Sequence, residues 1–222
     1  MKEIVLDTET TGLSVKDGHR IVEIGCIELD NLVPTKNIFH CYLSPDGKKV
    51  DPKAFETHGY SDDFLSTKQK FVEIADDFIG FIKDKKIIIH NAEFDIGHLN
   101  NELTLVGKPK ISNTNVIDTL ELARNKFPGS GISLDALCKR FRIDNSRREK
   151  HTALIDCDLL AKVYINLIDQ KEPTLNLVEN SENSISFSQG GAEYYKKVIN
   201  PTEQELLNHK EFLKKNLKKN FF

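Results

Sequence analysis

The pattern of apolar and polar residues in the first part of the chain predicts three β-strands. Short apolar runs rich in Ile and Val extend over residues 2–6, 21–29 and 39–43, and such runs are typical of strands. The last run is followed by Ser44-Pro45-Asp46-Gly47, a sequence that favours a turn. Because no segment of helical periodicity separates the runs, we expect them to form an antiparallel meander.

Helical periodicity begins after this meander. Apolar residues recur at three- and four-residue spacing over residues 67–83, which predicts an amphipathic helix. Further along, short apolar strands alternate with helical segments. The additional predicted elements are strands at 87–89 and 116–117 and helices at 94–106, 120–127, 134–141 and 152–168. This alternation predicts an α/β fold in which a mixed sheet, an antiparallel meander plus parallel strands, is flanked by helices.

The C-terminal part differs in composition. Residues 170–191 are rich in Asn, Ser, Glu and Gly, which is typical of a flexible linker. Residues 192–222 contain a helix-start sequence, Pro201-Thr202-Glu203, followed by several leucines, but this segment is too short for a core of its own. The sequence therefore predicts a folded domain at 1–169, a linker at 170–191 and a flexible amphipathic tail at 192–222.

Composition and charge narrow the class of protein. Hydrophobic residues make up 39% of the 222 residues, enough for a real core, yet no apolar run reaches the roughly 18 residues needed to cross a bilayer. The acidic N-terminus and the four widely spaced cysteines predict a reduced, cytoplasmic protein without a membrane partner. A net charge of −3 excludes a broadly basic nucleic-acid coat. The same net charge is compatible with an enzyme that binds phosphates through metal ions.

Two groups of acidic residues follow predicted strands. Asp7 and Glu9 come directly after the first strand. Side chains two positions apart on an extended chain point to the same side, so these carboxylates could share one cation. Asp95 follows a later strand and falls in the first turn of the next helix. Taken singly, each group also has an ordinary explanation, as solvated acids at a turn or as acids favoured by a helix N-terminus.

A histidine and an aspartate mark the start of the last long helix. His151 precedes the predicted helix, and Asp156 falls about one turn inside it. Asp158 lies two positions further along and turns about 200° away, so it cannot face the same site. A lone histidine is more often structural or solvated than catalytic, and this group is weak evidence by itself.

The three groups together predict a metal-dependent site. They supply four carboxylates and one histidine, each near the end of an element. Carboxylates crowded in one cleft repel each other unless cations neutralise them, and oxygen ligands suit Mg²⁺ or Mn²⁺. Two such ions about 4 Å apart are a known arrangement for in-line displacement at phosphorus. His151 is then the expected general base for an attacking water.

The same residues carry a resemblance to a known family. The chain resembles the histidine subclass of the DEDD exonuclease superfamily in three ordered motifs, which are Asp7-Thr8-Glu9-Thr10-Thr11-Gly12, His90-Asn91-Ala92-Glu93-Phe94-Asp95 and His151-x4-Asp156. The resemblance covers roughly residues 1–168. It implies a ribonuclease H-like fold and the 3′→5′ removal of nucleoside 5′-monophosphates from a DNA end. A further segment, Ser133-Leu134-Asp135-Ala136-Leu137-Cys138, is similar to members that proofread for bacterial replicative polymerases.

The resemblance also implies roles for the site residues. Asp7, Glu9 and Asp156 are expected to hold the catalytic ion. Asp7 and Asp95 are expected to contact a second ion, and His151 is expected to act as the general base. The residues implied in substrate binding are Asp7, Glu9, His58 and Asp156.

The resemblance also bears on three positions outside the set of catalytic residues. His58 matches a position that contacts the terminal nucleotide in the family. A nearby family position that can carry an acid is Lys53 here, and a lysine would meet phosphate or solvent instead. His90 opens the second motif, and its neighbours favour a structural role.

Three segments are expected to meet partners. A basic run just before His151 is a candidate path for DNA, or a solvated basic loop. Its members are Lys139, Arg140, Arg142, Arg147, Arg148 and Lys150. By resemblance, residues near 170–177 are expected to contact a sliding clamp. The tail at 192–222 is expected to tether the domain to a polymerase subunit, which would raise the concentration of the exonuclease at the primer end.

Two alternatives to a proofreading exonuclease stay open. One is a free-standing exonuclease of the same superfamily that trims RNA or short oligonucleotides. The three motifs do not separate these two enzymes, but the tail does. The other alternative is a non-catalytic binding module, which the presence of all five catalytic residue types disfavours.

Overall fold

The computed structural model describes residues 2–148, 150–169 and 201–216, and the chain divides into two units, Met1–Leu177 and Val178–Phe222. The first unit contains five strands, which are β1 (Lys2–Thr10), β2 (Ile21–Asp30), β3 (Val33–Tyr42), β4 (Lys86–Ile89) and β5 (Val116–Asp118). Its helices are α1 (Pro52–His58), α2 (Asp62–Ser66), α3 (Phe71–Ile82), α4 (Ala92–Leu105), α5 (Thr119–Lys126), α6 (Leu134–Phe141) and α7 (Ala153–Leu167). Helix α8 (Glu203–Asn216) belongs to the second unit.

The five strands form one sheet in the order β3-β2-β1-β4-β5. Strand β2 pairs antiparallel with β1 and β3, whereas β4 pairs parallel with β1 and β5. The predicted mixed sheet, an antiparallel meander plus parallel strands, is therefore confirmed. Because the central strands β1 and β4 are parallel, their carboxyl ends meet at the same edge of the sheet, and residues near those ends are brought together.

Helices cover both faces of this sheet. Ile4 and Leu6 of β1 are buried with residues of α3 and α4, whereas Val5 is buried with residues of α6 and α7. The change of face from one residue to the next is the two-residue period of a strand. The buried apolar residues of the described part lie between Ile4 and Leu167, so the first unit contains its own core.

Two strands, β1 and β3, extend several residues beyond their predicted bounds. Strand β1 continues to Thr10 because Asp7 and Glu9 pair with Gly25 and Glu23 of β2, so the prediction that these acids follow the strand is wrong. Strand β3 begins at Val33 and not at residue 39. Many of its side chains are exposed, so no apolar run marks its first half.

Helices α1 and α2 are missing from the prediction. They have 7 and 5 residues, too few for a periodic apolar pattern to emerge. Both nevertheless begin with ordinary signals. Pro52 occupies the first turn of α1, and Ser61 Oγ accepts a hydrogen bond from the Phe64 N–H at the start of α2. The omission matters because α1 carries Lys53 and His58.

The N-terminus of α7 lies directly against the backbone of β2. A Cβ atom on Gly25 would be 2.6 Å from the carbonyl carbon of Ala153, so only glycine permits this approach. Below it, the Sγ atom of buried Cys157 donates to the Gly25 carbonyl oxygen at 3.2 Å. These contacts fix the depth of α7 at the sheet edge and therefore the positions of side chains in its first turn.

The described part of the tail is the single helix α8. It begins at Glu203, as the helix-start sequence predicts. The Glu205 carboxylate accepts the Thr202 N–H at 2.7 Å, while Thr202 Oγ1 accepts the Glu205 N–H at 3.3 Å, which is a capping box. The predicted linker at 170–191 lies outside the described residues. Across the ranges that are described, no helix combines the length and the apolar character that crossing a membrane requires.

Candidate active site

A cleft of about 480 Å³ opens at the carboxyl ends of β1 and β4. It is lined by Asp7, Thr8, Glu9, His90, Asn91, Phe94, Asp95, Leu120, Ser133, Leu134, Asp135, Arg148, His151 and Asp156. All five residues predicted as catalytic therefore lie in one cleft, although they come from β1, α4, α7 and the loop before α7.

Strand β1 and helix α4 are joined through Asp95. The N–H and the hydroxyl of Thr8 both donate to Asp95 Oδ1, at 3.0 and 2.6 Å. Asp95 is buried in the first turn of α4, where the sequence placed it. Asp7 and Glu9 flank Thr8 on the strand, so the two hydrogen bonds hold three of the four carboxylates in one arrangement.

The turn between β4 and α4 is held by an aspartate that the sequence analysis missed. Asn91 adopts a left-handed conformation with φ of 70°, which is uncommon for a residue other than glycine. The Asp118 carboxylate accepts the N–H groups of Asn91 and Ala92 at 3.1 and 3.2 Å and also caps α5 through the Leu120 N–H at 2.8 Å. Asp118 thus ties the starts of two helices together beside the cleft.

The start of α7 is anchored by a second missed residue, Glu23. Its side chain is fully buried, and Oε2 accepts the Ala153 N–H at 3.0 Å and the Tyr60 hydroxyl at 2.8 Å. His40 Nε2 lies 2.7 Å from the other oxygen. Every oxygen of this buried carboxylate is thus hydrogen-bonded, as burial of a polar group requires, and the helix that carries Asp156 is fixed to the sheet.

Glu9, His151 and Asp156 converge most closely. Each offers one potential ligand atom, and these atoms lie within 4.8 Å of one another. Asp156 is buried, whereas the His151 side chain is 42% exposed and faces the cleft. Asp158 points away and pairs with Lys162 at 2.7 Å, as the helical geometry predicts.

Arg148 is a further cleft residue, and its position corrects the sequence analysis. From the sequence, the basic run was a candidate DNA path or a solvated loop, but the Arg148 side chain is only 7% exposed and turns inward, so it fits neither. Its Nε and Nη2 donate to the two carboxylate oxygens of Asp156 at 2.6 and 2.7 Å, and Nη1 donates to Asp135 at 2.8 Å. Nη2 also lies 2.9 Å from His151 Nδ1. A guanidinium is drawn in because a buried carboxylate needs a counter-charge.

Other members of the basic run also make contacts within the protein. The Arg140 guanidinium lies 4.3 Å from the centre of the Phe127 ring, and Lys150 Nζ donates to the Glu56 carbonyl oxygen at 2.6 Å. Arg147 is exposed. A DNA path along the exposed members of the run stays a prediction.

The electrostatics of the carboxylates explain what the cleft requires. Burial raises the pKa of Asp7 well above its usual range, and the charges of Asp95 and Glu9 raise it further. Burial, followed by the charge of Asp156, raises the pKa of Glu9 to about 8. Burial raises the pKa of Asp95 to about 7, against the opposing hydrogen bonds from Thr8. A cluster of oxygen ligands that resists ionisation without counter-charges fits divalent cations.

His58 and Lys53 line a second, more apolar pocket of about 310 Å³ that shares Glu9 and Phe94 with the cleft. His58 is buried. The Tyr60 N–H donates to its Nδ1 at 3.0 Å, and its Nε2 contacts the Thr10 carbonyl oxygen at 3.2 Å. Both ring nitrogens are thus engaged, and the contact of His58 with a nucleotide stays a prediction.

His90 makes contacts that suit the structural role predicted for it. Its Nδ1 lies 2.9 Å from Thr119 Oγ1, and that hydroxyl donates to the Ile89 carbonyl oxygen at 3.1 Å. The histidine therefore links the end of β4 to the start of α5 at the edge of the cleft.

The mixed sheet flanked by helices, with four carboxylates and a histidine gathered in the cleft at the carboxyl ends of its central strands, defines a ribonuclease H-like exonuclease. The exonuclease family of the RNase T type matches residues 4–164. The chain is 48% identical to the DNA polymerase III subunit epsilon of Rickettsia conorii, over 98% of this chain and 97% of that protein. It is 49% identical to the subunit epsilon of Escherichia coli, over 74% of this chain and 70% of that protein. The chain belongs to this exonuclease family, in the group of DNA polymerase III epsilon subunits.

Solved structures agree with the fold. Exonuclease X, solved with a 5′ overhanging duplex DNA, matches with a TM-score of 0.57 and 25% identity, over 76% of this chain and 92% of that one. The nuclease domain of 3′hExo, a DEDDh family member solved with rAMP, matches with a TM-score of 0.66 and 16% identity, over 77% and 92% of the two chains. The predicted ribonuclease H-like architecture and the exonuclease class are confirmed.

Proposed function

We propose that this chain is the 3′→5′ proofreading exonuclease of a replicative DNA polymerase III and removes mispaired 3′-terminal nucleotides as nucleoside 5′-monophosphates. The observation that carries the proposal is the convergence of the five motif residues in one cleft. The 48% identity to an epsilon subunit along 98% of the chain supports the polymerase context. As a subunit of a bacterial replication machinery, the protein would work in the cytoplasm.

The carboxylates of Asp7, Glu9, Asp95 and Asp156 would hold two divalent ions, Mg²⁺ or Mn²⁺. When bound, the ions would stabilise negative charge on the attacking and leaving oxygens of the phosphodiester. Asp7 and Glu9 have raised pKa values and would ionise fully only with such counter-charges in place. The protein itself keeps these ligands aligned through β1 and the Thr8–Asp95 hydrogen bonds.

His151 would act as the general base. It lies at the mouth of the cleft, where its partly exposed ring can reach a water molecule. Burial and the nearby Arg148 lower its pKa, which favours the neutral ring that a general base requires. A neutral imidazole in this position would take the proton as the water attacks phosphorus.

The pocket beside the cleft would receive the base of the terminal nucleotide. Its walls include His58, Phe94 and Leu13, which offer ring and aliphatic surface to any base. Stacking and apolar contact do not depend on base identity, as removal of any mispaired nucleotide requires. Lys53 on the same wall would meet the phosphate or solvent.

The C-terminal part would join the exonuclease to its partners. We assign the exonuclease domain to residues 1–169, the linker to 170–191 and the tail to 192–222, with the tail bound to the polymerase III α subunit. Leu206 and Leu207 of α8 are about half exposed, at 47% and 56%, and exposed leucines on a short helix suit a protein partner. Residues near 170–177 would contact the sliding clamp.

A direct test is the degradation of 5′-labelled single-stranded DNA beside a matched RNA, with Mg²⁺, with Mn²⁺ or with EDTA. We expect a ladder that shortens from the 3′ end, requires the metal and forms faster on DNA. The Asp156→Asn variant should be inactive, while Asp158→Asn, its exposed neighbour, should match the wild type. A preference for RNA would favour the free-standing RNA-trimming enzyme, and no cleavage with either metal would overturn the mechanism.

A second test addresses the polymerase. Deletion of residues 170–222 should abolish co-purification with the α subunit and leave the hydrolysis of single-stranded DNA intact. A full-length chain that fails to bind the α subunit would overturn the proofreading role and leave the exonuclease assignment standing.

A further inference from the structure

The guanidinium of Arg148 pairs with the carboxylate of Asp156, which the proposed function assigns to a metal ion. Its Nε and Nη2 cover both carboxylate oxygens at 2.6 and 2.7 Å, the two-point geometry that makes arginine–carboxylate pairs strong. Both side chains are buried, with exposed fractions of 7% and 4%. A cation would need these same oxygens, so the ion and the guanidinium compete for one ligand.

The same guanidinium also engages His151. Nη2 lies 2.9 Å from Nδ1. A guanidinium only donates hydrogen bonds, so Nδ1 is the acceptor and the proton of the neutral ring is on Nε2. With one nitrogen accepting and the other protonated, the imidazole has no free site for a proton. The arrangement therefore holds a metal ligand and the proposed base in a form that cannot act.

Asp135 is a second carboxylate that can pair with the guanidinium. Arg148 Nη1 already donates to Asp135 at 2.8 Å, and the Asp135 carboxylate is 55% exposed at the wall of the cleft. A small rotation of the arginine side chain toward Asp135 would keep its charge paired while it releases Asp156 and His151.

We propose that Arg148 is a built-in counter-ion that holds Asp156 and His151 in a resting arrangement, and that a divalent ion binds by displacing its guanidinium toward Asp135. The inference rests on the proposed function, because that function assigns Asp156 to the metal. Arg148 is in this view a positioning residue, and it sets the metal affinity since part of the binding energy is used to displace it.

The first experiment measures Mn²⁺ binding by isothermal titration calorimetry on the full-length protein, together with its melting temperature in EDTA. Arg148→Gln should bind Mn²⁺ about tenfold more tightly, because the competing cation is gone. Its melting temperature in EDTA should fall by about 5 °C or more, because Asp156 is left without a counter-charge. The control Arg147→Gln removes the neighbouring, exposed charge and should change neither value. Equal or weaker Mn²⁺ binding by Arg148→Gln would overturn the inference.

A double-mutant cycle tests the route toward Asp135. Asp135→Asn alone should weaken Mn²⁺ binding by about threefold, because the displaced guanidinium loses its acceptor. In the Arg148→Gln background the same change should have no effect. An equal loss of Mn²⁺ affinity in both backgrounds would mean that Asp135 acts through its charge alone. The proposed displacement of Arg148 toward Asp135 would then be wrong.

Histidine NMR on the wild type needs no variant. Without metal, the ¹⁵N spectrum of His151 should show the neutral ring with its proton on Nε2, and Mg²⁺ should change that pattern. A His151 signal that Mg²⁺ leaves unchanged would contradict the proposal that displacement of Arg148 frees His151 together with Asp156. A wild type that binds no Mn²⁺ at all would instead overturn the metal assignment of the proposed function, and this inference with it.

Discussion

The acids in the cleft differ in how their charge is compensated. Asp156 is paired with Arg148 through two short hydrogen bonds. Asp7 and Glu9 instead have pKa values raised by burial and by neighbouring acids. Removing a negative charge should therefore shift the stability of the metal-free protein in opposite directions at the two places.

Glu9→Gln should stabilise the metal-free protein at alkaline pH. A carboxyl group whose pKa is raised from 4.5 to about 8 on folding contributes stability that is full below the lower value and is lost as pH rises through the upper one. In EDTA, the wild-type melting temperature should fall between pH 5 and pH 8.5, and Glu9→Gln should melt about 4 °C higher than the wild type at pH 8.5. Calorimetry across this pH range, with Glu93→Gln as an exposed control, checks the expectation; equal pH dependence of all three proteins would contradict it.

Asp156→Asn should destabilise the metal-free protein by about 3 kcal/mol, because the buried Arg148 loses its main counter-charge. Its nuclease activity should fall by more than about a hundredfold, since even the loss of a group that supports a metal ligand costs that much. Urea unfolding in EDTA and single-strand degradation measure the two effects. Asp158→Asn is the matched control, and similar stability of the two variants would argue against the buried pair.

The positions of some of these residues in the cleft were predictable from the sequence, and the positions of others were not. Asp7, Glu9, Asp95, His151 and Asp156 were predicted from three ordered motifs near the ends of elements, which a single sequence displays. The inward turn of Arg148 depends on carboxylates brought near it by the fold, and a basic loop gives no sign of it. The contacts of Thr8 and Glu23 could not be predicted for the same reason, since their hydrogen-bond partners are far away in the sequence.

Among the elements, the contact of α7 with β2 determines the geometry of the cleft. Helix α7 carries Asp156, and its first N–H is held by Glu23 while Gly25 lets its backbone approach the sheet. Strand β1 lies beside β2 and carries Asp7 and Glu9. The distance between the two sets of carboxylates is thus set by a backbone contact and not by flexible side chains.

Gly25→Ala should separate these elements. Its Cβ would lie 2.6 Å from a backbone atom of Ala153, so α7 must shift, at a cost of about 2 kcal/mol or more. A displacement near 1 Å should lower kcat/KM by about a hundredfold. Gly80→Ala is the matched control, because a Cβ at that helical position has open space and should stabilise by about 0.5 kcal/mol. Normal activity of Gly25→Ala would show that the contact does not position the site.

The elements themselves were predictable to an unequal degree. Long amphipathic helices and buried strands follow from periodicity, and α6 has the predicted bounds with the Ser133 hydroxyl as its cap. Helices α1 and α2 and the exposed half of β3 have no apolar pattern to reveal them. The helix that carries His58 could therefore not be predicted from the sequence, although His58 itself was identified by resemblance.

For the molecule as a whole, the described core belongs to the first unit. Its two clusters of buried apolar side chains, one on each face of the sheet, draw on residues from Ile4 to Leu167. The predicted boundary at residue 169 follows directly after them. The linker and most of the tail stay predictions, because composition indicates where a chain lacks a core but not what it binds.

A chain that ends at residue 169 should melt within about 2 °C of the full-length protein, because a domain with its own core folds alone. It should also keep the Mn²⁺ affinity of the full-length protein, since the cleft draws on residues before this point. Calorimetry and titration of both chains check this expectation. A large drop in the melting temperature would place part of the stabilising contacts beyond residue 169.

The order of the carboxylates along the chain has a consequence for synthesis. Asp7 and Glu9 leave the ribosome early, but the cleft is closed only when α7, the last helix in the described part of the first unit, docks against β2. A nascent chain that stops before α7 lacks Asp156, one of the four carboxylates proposed to hold the metal ions, and we expect it not to cut nucleic acid. We therefore expect nuclease activity only after α7 has been translated, so that the products of interrupted translation leave the nucleic acids around them intact.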